Sequence, residues 1–137
     1  MFQTILVALD HSASADAILG ALDQFKLGSH NQVVLTHVLA LNRDSEDATH
    51  PRPTMDMDFD QAEHQLYQYQ AKIPCSSRIE VVQGEPVEEI LRLSKIHGAD
   101  LIVLGSRGLT GLKRILEGSV SSQVLEDASC SVLVVKA

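Results

Sequence analysis

The apolar residues of the chain fall into four short continuous runs and one alternating run, separated by stretches with helical spacing. Thr4-Ile5-Leu6-Val7-Ala8-Leu9 is apolar and β-branched without strict alternation, the pattern of a strand buried on both faces. Asp10-His11-Ser12 breaks it, and Ser12 or Ser14 is a suitable N-cap. Ala13, Ala17, Ile18, Ala21, Leu22 and Phe25 then recur at helical spacing, and the helix is expected to stop near Gly28. A second buried strand is predicted over Gln32 to Leu41. The stretch from Asn42 to Thr54 is polar, aperiodic and long for a connection in a compact domain. Asp58 to Lys72 reads as a weak helix on Phe59, Ala62, Leu66 and Tyr69, with Pro74 beyond it.

Arg78-Ile79-Glu80-Val81-Val82 alternates, so one of its faces is expected to be less buried. Gly84-Glu85-Pro86 starts a helix whose inner stripe is Val87, Ile90, Leu91 and Ser94 and which Gly98 ends. Leu101 to Leu104 is a fourth strand. Gly105 to Glu117 is loop mixed with a short helical turn. Gly118-Ser119 opens a helix carrying Val120, Val124 and Leu125 on one side, and Ser131 to Val135 is the fifth strand. Strands alternate with helices throughout, without internal repeats. That order predicts one α/β domain over residues 1–137: a five-stranded parallel sheet, right-handed crossovers, and helices on both faces in a Rossmann-like arrangement.

Composition narrows the function classes. The chain has 137 residues and a formal net charge of -7, which disfavours a nucleic-acid coat or an anionic membrane surface. No apolar run is long enough to span a bilayer, and Met1-Phe2-Gln3-Thr4-Ile5 lacks the basic start of a signal peptide, so a cytoplasmic location is expected. Cys75 and Cys130 are far apart and lack CxxC spacing, as suits incidental thiols in a reducing compartment.

In a sheet of this kind ligands bind beyond the carboxyl ends of the strands, where the strand order reverses. Attention falls on Asp10, on Val38 and its neighbours, on Gly84 and on Gly105. The stretch from Gly105 to Ser119 combines two features. Gly105 and Gly108 let backbone approach a ligand without a Cβ in the way. Gly118-Ser119 stands at a helix start, where free N–H groups and the helix dipole favour an anion. Arg107, Lys113 and Arg114 face only Glu117 there, so an anion repelled by the acidic chain is attracted locally. Turn glycines and a plain helix cap explain the same residues without a ligand. The stretch is neither a Walker A loop nor the dinucleotide fingerprint.

These residues resemble the universal stress protein family. Gly105, Gly108, Gly118 and Ser119 fit its ATP-binding pattern G-x2-G-x9-G-[ST]. The similarity extends to Ile5-Leu6-Val7-Ala8-Leu9-Asp10-His11-Ser12, to Gly84-Glu85-Pro86, to Ala99 through Gly105, and to the closing Ser131 to Val135. The resemblance implies an adenine nucleotide alpha hydrolase-like sheet, often as a homodimer. It implies that Asp10 lies near the adenine and ribose and that Val38 backbone faces the base. Gly105, Arg107, Gly108, Gly118, Ser119 and Val120 would then surround the ribose and phosphates of ATP, ADP or AMP, with Mg or Mn bridging the phosphates. His11 departs from the family, which commonly has glycine there.

An unprotected apolar edge over 131–136 gives dimerisation its own motive. The six histidines form no metal motif, although proximity of His11 and His37 at the strand ends is compatible with the predicted order; His64 and His97 are expected as solvated helix residues. Asp56, Asp58 and Asp60 alternate as in a calcium loop but lack the glycine and closing glutamate of an EF-hand, which favours an acidic helix start. Three functions remain open: a nucleotide-binding regulatory or stress-response dimer, a slow ATPase or nucleotidyl hydrolase, and an interaction module that binds no ATP. The loop offers no evident general base, so fast turnover is not expected.

Overall fold

The structure, a computed structural model, describes residues 2–9, 14–40, 58–105 and 120–136. Its elements are β1 (Thr4–Ala8), α1 (Ser14–Leu22), β2 (Gln32–Ala40), α2 (Phe59–Gln70), β3 (Ser76–Gly84), α3 (Pro86–His97), β4 (Leu101–Gly105), α4 (Val120–Asp127) and β5 (Ser131–Val135). The five strands form one sheet in the order β3-β2-β1-β4-β5, and every pairing is parallel. The predicted α/β architecture is present.

Side-chain alternation along the strands divides the core in two. Ile5, Val7, Val33, Leu35, Leu101 and Val103 face α1 and α2, where they pack on Ala15, Ile18, Leu22 and Leu66. Leu6, Ala8, Val34, Val38, Ile102 and Leu104 face α3 and α4, where they meet Ile90, Leu93, Val120 and Val124. The three central strands are covered on both sides, which is why their sequences are apolar without alternation. Thr36 is fully buried in β2, and its hydroxyl donates to the Glu80 carbonyl of β3 at 2.9 Å. Among the described residues, no buried side-chain nitrogen or oxygen lacks a hydrogen-bond partner.

Several boundaries and faces differ from the sequence expectation. α1 ends at Leu22 rather than near Gly28. Its last turn tightens, with Asp23, Gln24 and Phe25 N–H groups donating to carbonyls three residues back. Ser14 is already the first helical residue of α1. β3 runs over nine residues, beyond the expected Arg78 to Val82. As an edge strand it needs no apolar residue at Ser76, Ser77 or Gln83 to pair fully with β2. In α3 the buried stripe is Ile90, Leu93 and Ser94, so Leu93 replaces the expected Val87 and Leu91, which are partly covered. Leu125 is exposed, and the inner face of α4 is Val120, Ser121 and Val124.

The caps follow local chemistry. Asp58 accepts from the Gln61 N–H at 2.9 Å while Gln61 Oε1 accepts from the Asp58 N–H, a reciprocal capping box that accounts for the acidic start of α2. Asp56 lies outside the described residues. Glu85 caps α3 by accepting from the Glu88 N–H at 2.9 Å, Pro86 occupies the first helical position, and Gly98 closes the helix with a left-handed φ of 63°.

Candidate functional site

The strand order places the reversal between β1 and β4. From β1 the chain steps outward to β2 and β3, then returns to the other side of β1 for β4 and β5. The crevice outside the carboxyl ends of β1 and β4 is therefore the expected ligand position for this topology. Pairing of β1 with β4 ends at Val7↔Val103, and pairing with β2 ends at Ala8↔Thr36. Past Val7 and Val103 no further β1–β4 pair forms, while Leu9 stays bonded to β2 through the Thr36 carbonyl at 2.8 Å.

Three predicted site residues lie among those described, all at this end of the sheet. Gly105 is the buried last residue of β4. Val38 lies near the end of β2 and is 5% exposed, and Val120 begins α4 and is 7% exposed. Val38 and Val120 belong to the same packed cluster with Ala8 and Leu104. The first turn of α4 thus shares one core cluster with residues near the ends of three strands. Its leading N–H groups lie at the helix end that directly follows Gly118-Ser119 in the chain. Asp10, Arg107, Gly108, Gly118 and Ser119 lie outside the described residues, as do His11 and the segment from Asn42 to Thr54.

Two features of this end escaped the sequence reading. His37 is buried, and its Nδ1 lies 2.9 Å from the Leu9 carbonyl oxygen. A carbonyl only accepts, so Nδ1 carries the proton. A histidine near the end of a buried strand was the available signal, but its partner depends on register. Gly84, opposite Ala40 in the sheet, has φ 156°, and a Cβ there would lie 2.9 Å from Glu89 Cγ. Glu89 Oε1 accepts in turn from Arg92 Nη2 at 2.6 Å.

His97 is not the solvated residue that its helical position suggested. Its side chain is 12% exposed, and its Nε2 lies 3.0 Å from Glu80 Oε2, joining the end of α3 to β3. Among the described residues no group of three or more His, Cys, Asp or Glu is arranged to hold a metal ion. Burial pushes both thiols up from their ordinary range, and for Cys130 the Asp100 carboxylate adds to the rise. A separate hollow of about 230 Å³ lies between α1 and the turn before β3. It sets Asp16 and Asp23 against Lys72 over Leu19, Leu22, Ile73 and Pro74, a poor seat for phosphate.

A family model described as the universal stress protein family matches residues 1–136. The chain belongs to the universal stress protein family. Universal stress protein MJ0577 of Methanocaldococcus jannaschii is 27% identical over 155 residues, covering 99% of this chain and 96% of that protein. The solved structure of MJ0577 superposes with a TM-score of 0.73 at 29% identity, over 100% of this chain and 97% of that one. Universal stress protein MJ0531 of the same organism is 51% identical over 57 residues, 42% of this chain. That match spans only 34% of MJ0531.

More distant universal stress proteins share the fold. One was solved in complex with cAMP, at 22% identity and TM-score 0.65, covering 98% of this chain and 97% of that one. Another, from Archaeoglobus fulgidus, was solved in complex with dAMP, at 18% identity and TM-score 0.62, covering 98% of each chain. Among the described residues of this universal stress protein, no helix is long and apolar enough to cross a membrane.

Proposed function

We propose that this chain is an adenine-nucleotide-binding regulatory protein that holds ATP at the carboxyl ends of β1, β2 and β4. The observation that carries the reading is that Val120, at the start of α4, belongs to one core cluster with Val38, Ala8 and Leu104 near the β1–β4 reversal. The helix that directly follows Gly118-Ser119 in the chain starts in the same core cluster as Leu104, the residue before the buried Gly105. A helix dipole and backbone without a Cβ suit a polyphosphate. The cAMP and dAMP complexes of distant family members support an adenine base with a sugar phosphate as the shared ligand part.

In this reading Asp10 holds the ribose side and Val38 backbone meets the base. Gly105, Arg107, Gly108, Gly118, Ser119 and Val120 surround the ribose and phosphates. A Mg or Mn ion would bridge the phosphates. The regulatory unit is a homodimer formed through β5. That strand pairs with β4 alone among the described strands, and its exposed edge is apolar.

Denaturing the purified protein and identifying the released nucleotide by chromatography tests the ligand, together with calorimetric titration of ATP, ADP, AMP and cAMP in Mg²⁺. Bound adenine nucleotide and a binding heat for ATP are expected; absence of both overturns the reading. Light scattering at micromolar concentration is expected to give about twice the 14.9 kDa chain mass, and a monomer overturns the dimer.

A further inference from the structure

At the end of β1 the backbone leaves its ladder while still buried. The last β1–β2 pair is Ala8↔Thr36, and the last β1–β4 pair is Val7↔Val103. Leu9 lies one residue further and is 1% exposed. Its N–H donates to the Thr36 carbonyl at 2.8 Å, and its carbonyl accepts from His37 Nδ1 at 2.9 Å. Two consecutive residues of β2 therefore hold both polar groups of Leu9, one by backbone and the next by side chain. A buried carbonyl deprived of its donor has no water to turn to. His37 itself is 7% exposed and lies on the α1 and α2 side of the sheet with Val33 and Leu35, opposite Val38.

We infer that His37 is a positioning residue for the nucleotide site: by bonding the Leu9 carbonyl it fixes the end of β1 relative to Val38 of β2. The inference rests on the nucleotide reading above. The two strand ends flank the position assigned to the base, so their separation sets how closely the base is gripped. The imidazole acts through backbone and touches no ligand. An asparagine carries an amide N–H near the position of Nδ1 on a shorter side chain, whereas leucine fills the space without a donor.

The test compares wild type, His37→Asn and His37→Leu by calorimetric titration with ATP and with GTP. His37→Leu is expected to weaken ATP roughly tenfold and to narrow the ATP-over-GTP preference, as one lost buried hydrogen bond predicts. His37→Asn is expected to stay within about threefold of wild type on both counts. An unchanged ATP-to-GTP ratio in His37→Leu overturns the proposal, because a structural residue alters folding without altering base choice. So does an asparagine variant that behaves like leucine. Failure of the nucleotide reading is distinguishable, since wild type would then bind neither nucleotide. Amide exchange of the nucleotide-free protein decides that case. The Leu9 N–H is expected to exchange at least tenfold faster in His37→Leu and near the wild-type rate in His37→Asn. Equal rates in all three proteins overturn the proposal.

Discussion

At the amino-terminal end of the sheet, Asp100 accepts from the Gln3 and Thr4 N–H groups at 3.0 Å each, and the Asp100 N–H returns to the Thr4 carbonyl at 2.9 Å. Asn31 completes the closure. Its amide donates to the Phe2 carbonyl at 2.7 Å, and its Oδ1 accepts from the Gly28 N–H at 2.9 Å. The carboxyl end is arranged differently. β1 and β4 stop pairing, a histidine side chain takes over from the ladder, and Gly84 admits Glu89 against the backbone. One end spends its polar side chains on joining strands to one another. The other ends the β1–β4 pairing at Val7↔Val103, with Gly105 and the start of α4 near where the proposed ligand needs approach. Substitutions at the first end are therefore expected to change stability alone, and those in the glycine loop that precedes α4 at the second to change binding.

The largest effect is expected from Gly118→Val and Gly108→Val. Each adds branched carbons where phosphate is to approach, and ATP affinity should fall at least about 100-fold, or roughly 3 kcal/mol, with the melting temperature little changed. Titration calorimetry beside a thermal melt checks both halves; wild-type affinity in either variant removes the phosphates from this loop. Asp100→Ala is the counterpart at the closed end. Loss of charge-assisted bonds to two partly exposed amides should cost about 2 kcal/mol of unfolding free energy by denaturant titration, with ATP affinity unchanged. A binding defect there would break the division between the two ends.

Gly84→Ala is next, at about 1–2 kcal/mol of stability, because an L residue is strained at φ 156° and its Cβ meets Glu89. Adding Glu89→Ala should recover the steric part and leave the backbone part. The smallest effect concerns Cys130. Burial and the Asp100 carboxylate both favour its neutral thiol, so alkylation near pH 8 should be slow. Asp100→Asn removes one of these causes and should speed alkylation by roughly two- to threefold, followed by mass spectrometry.

The central strands were readable because burial on both faces demands an unbroken apolar run, and Ile5 to Leu9 and Leu101 to Leu104 supply one. Pro86 and Gly98 marked α3 because their allowed φ values are local properties. The ends of β3 were harder. An edge strand tolerates Ser76, Ser77 and Gln83, and edge position is not written in any one segment. Leu93 was missed because the face of α3 that turns inward is chosen by its neighbours, and Leu91 offered an equal apolar alternative. Of the proposed site, Gly105 and Val38 were legible as positions after or near strand ends, and Val120 only through the family resemblance. The shared cluster of Val38 and Val120 depends on the strand order, which no local pattern specifies.

The chain by itself determined which segments become strands and helices, where α3 begins and ends, and that a spaced glycine pattern follows the fourth strand. Those are consequences of side-chain size, polarity and allowed φ over a few neighbouring residues. Tertiary structure decided the β3-β2-β1-β4-β5 order, the reversal between β1 and β4, and the pairing of His37 with Leu9 and of His97 with Glu80. These contacts join residues far apart in sequence, and only the register of strands and the packing of helices on two faces bring them within hydrogen-bond reach.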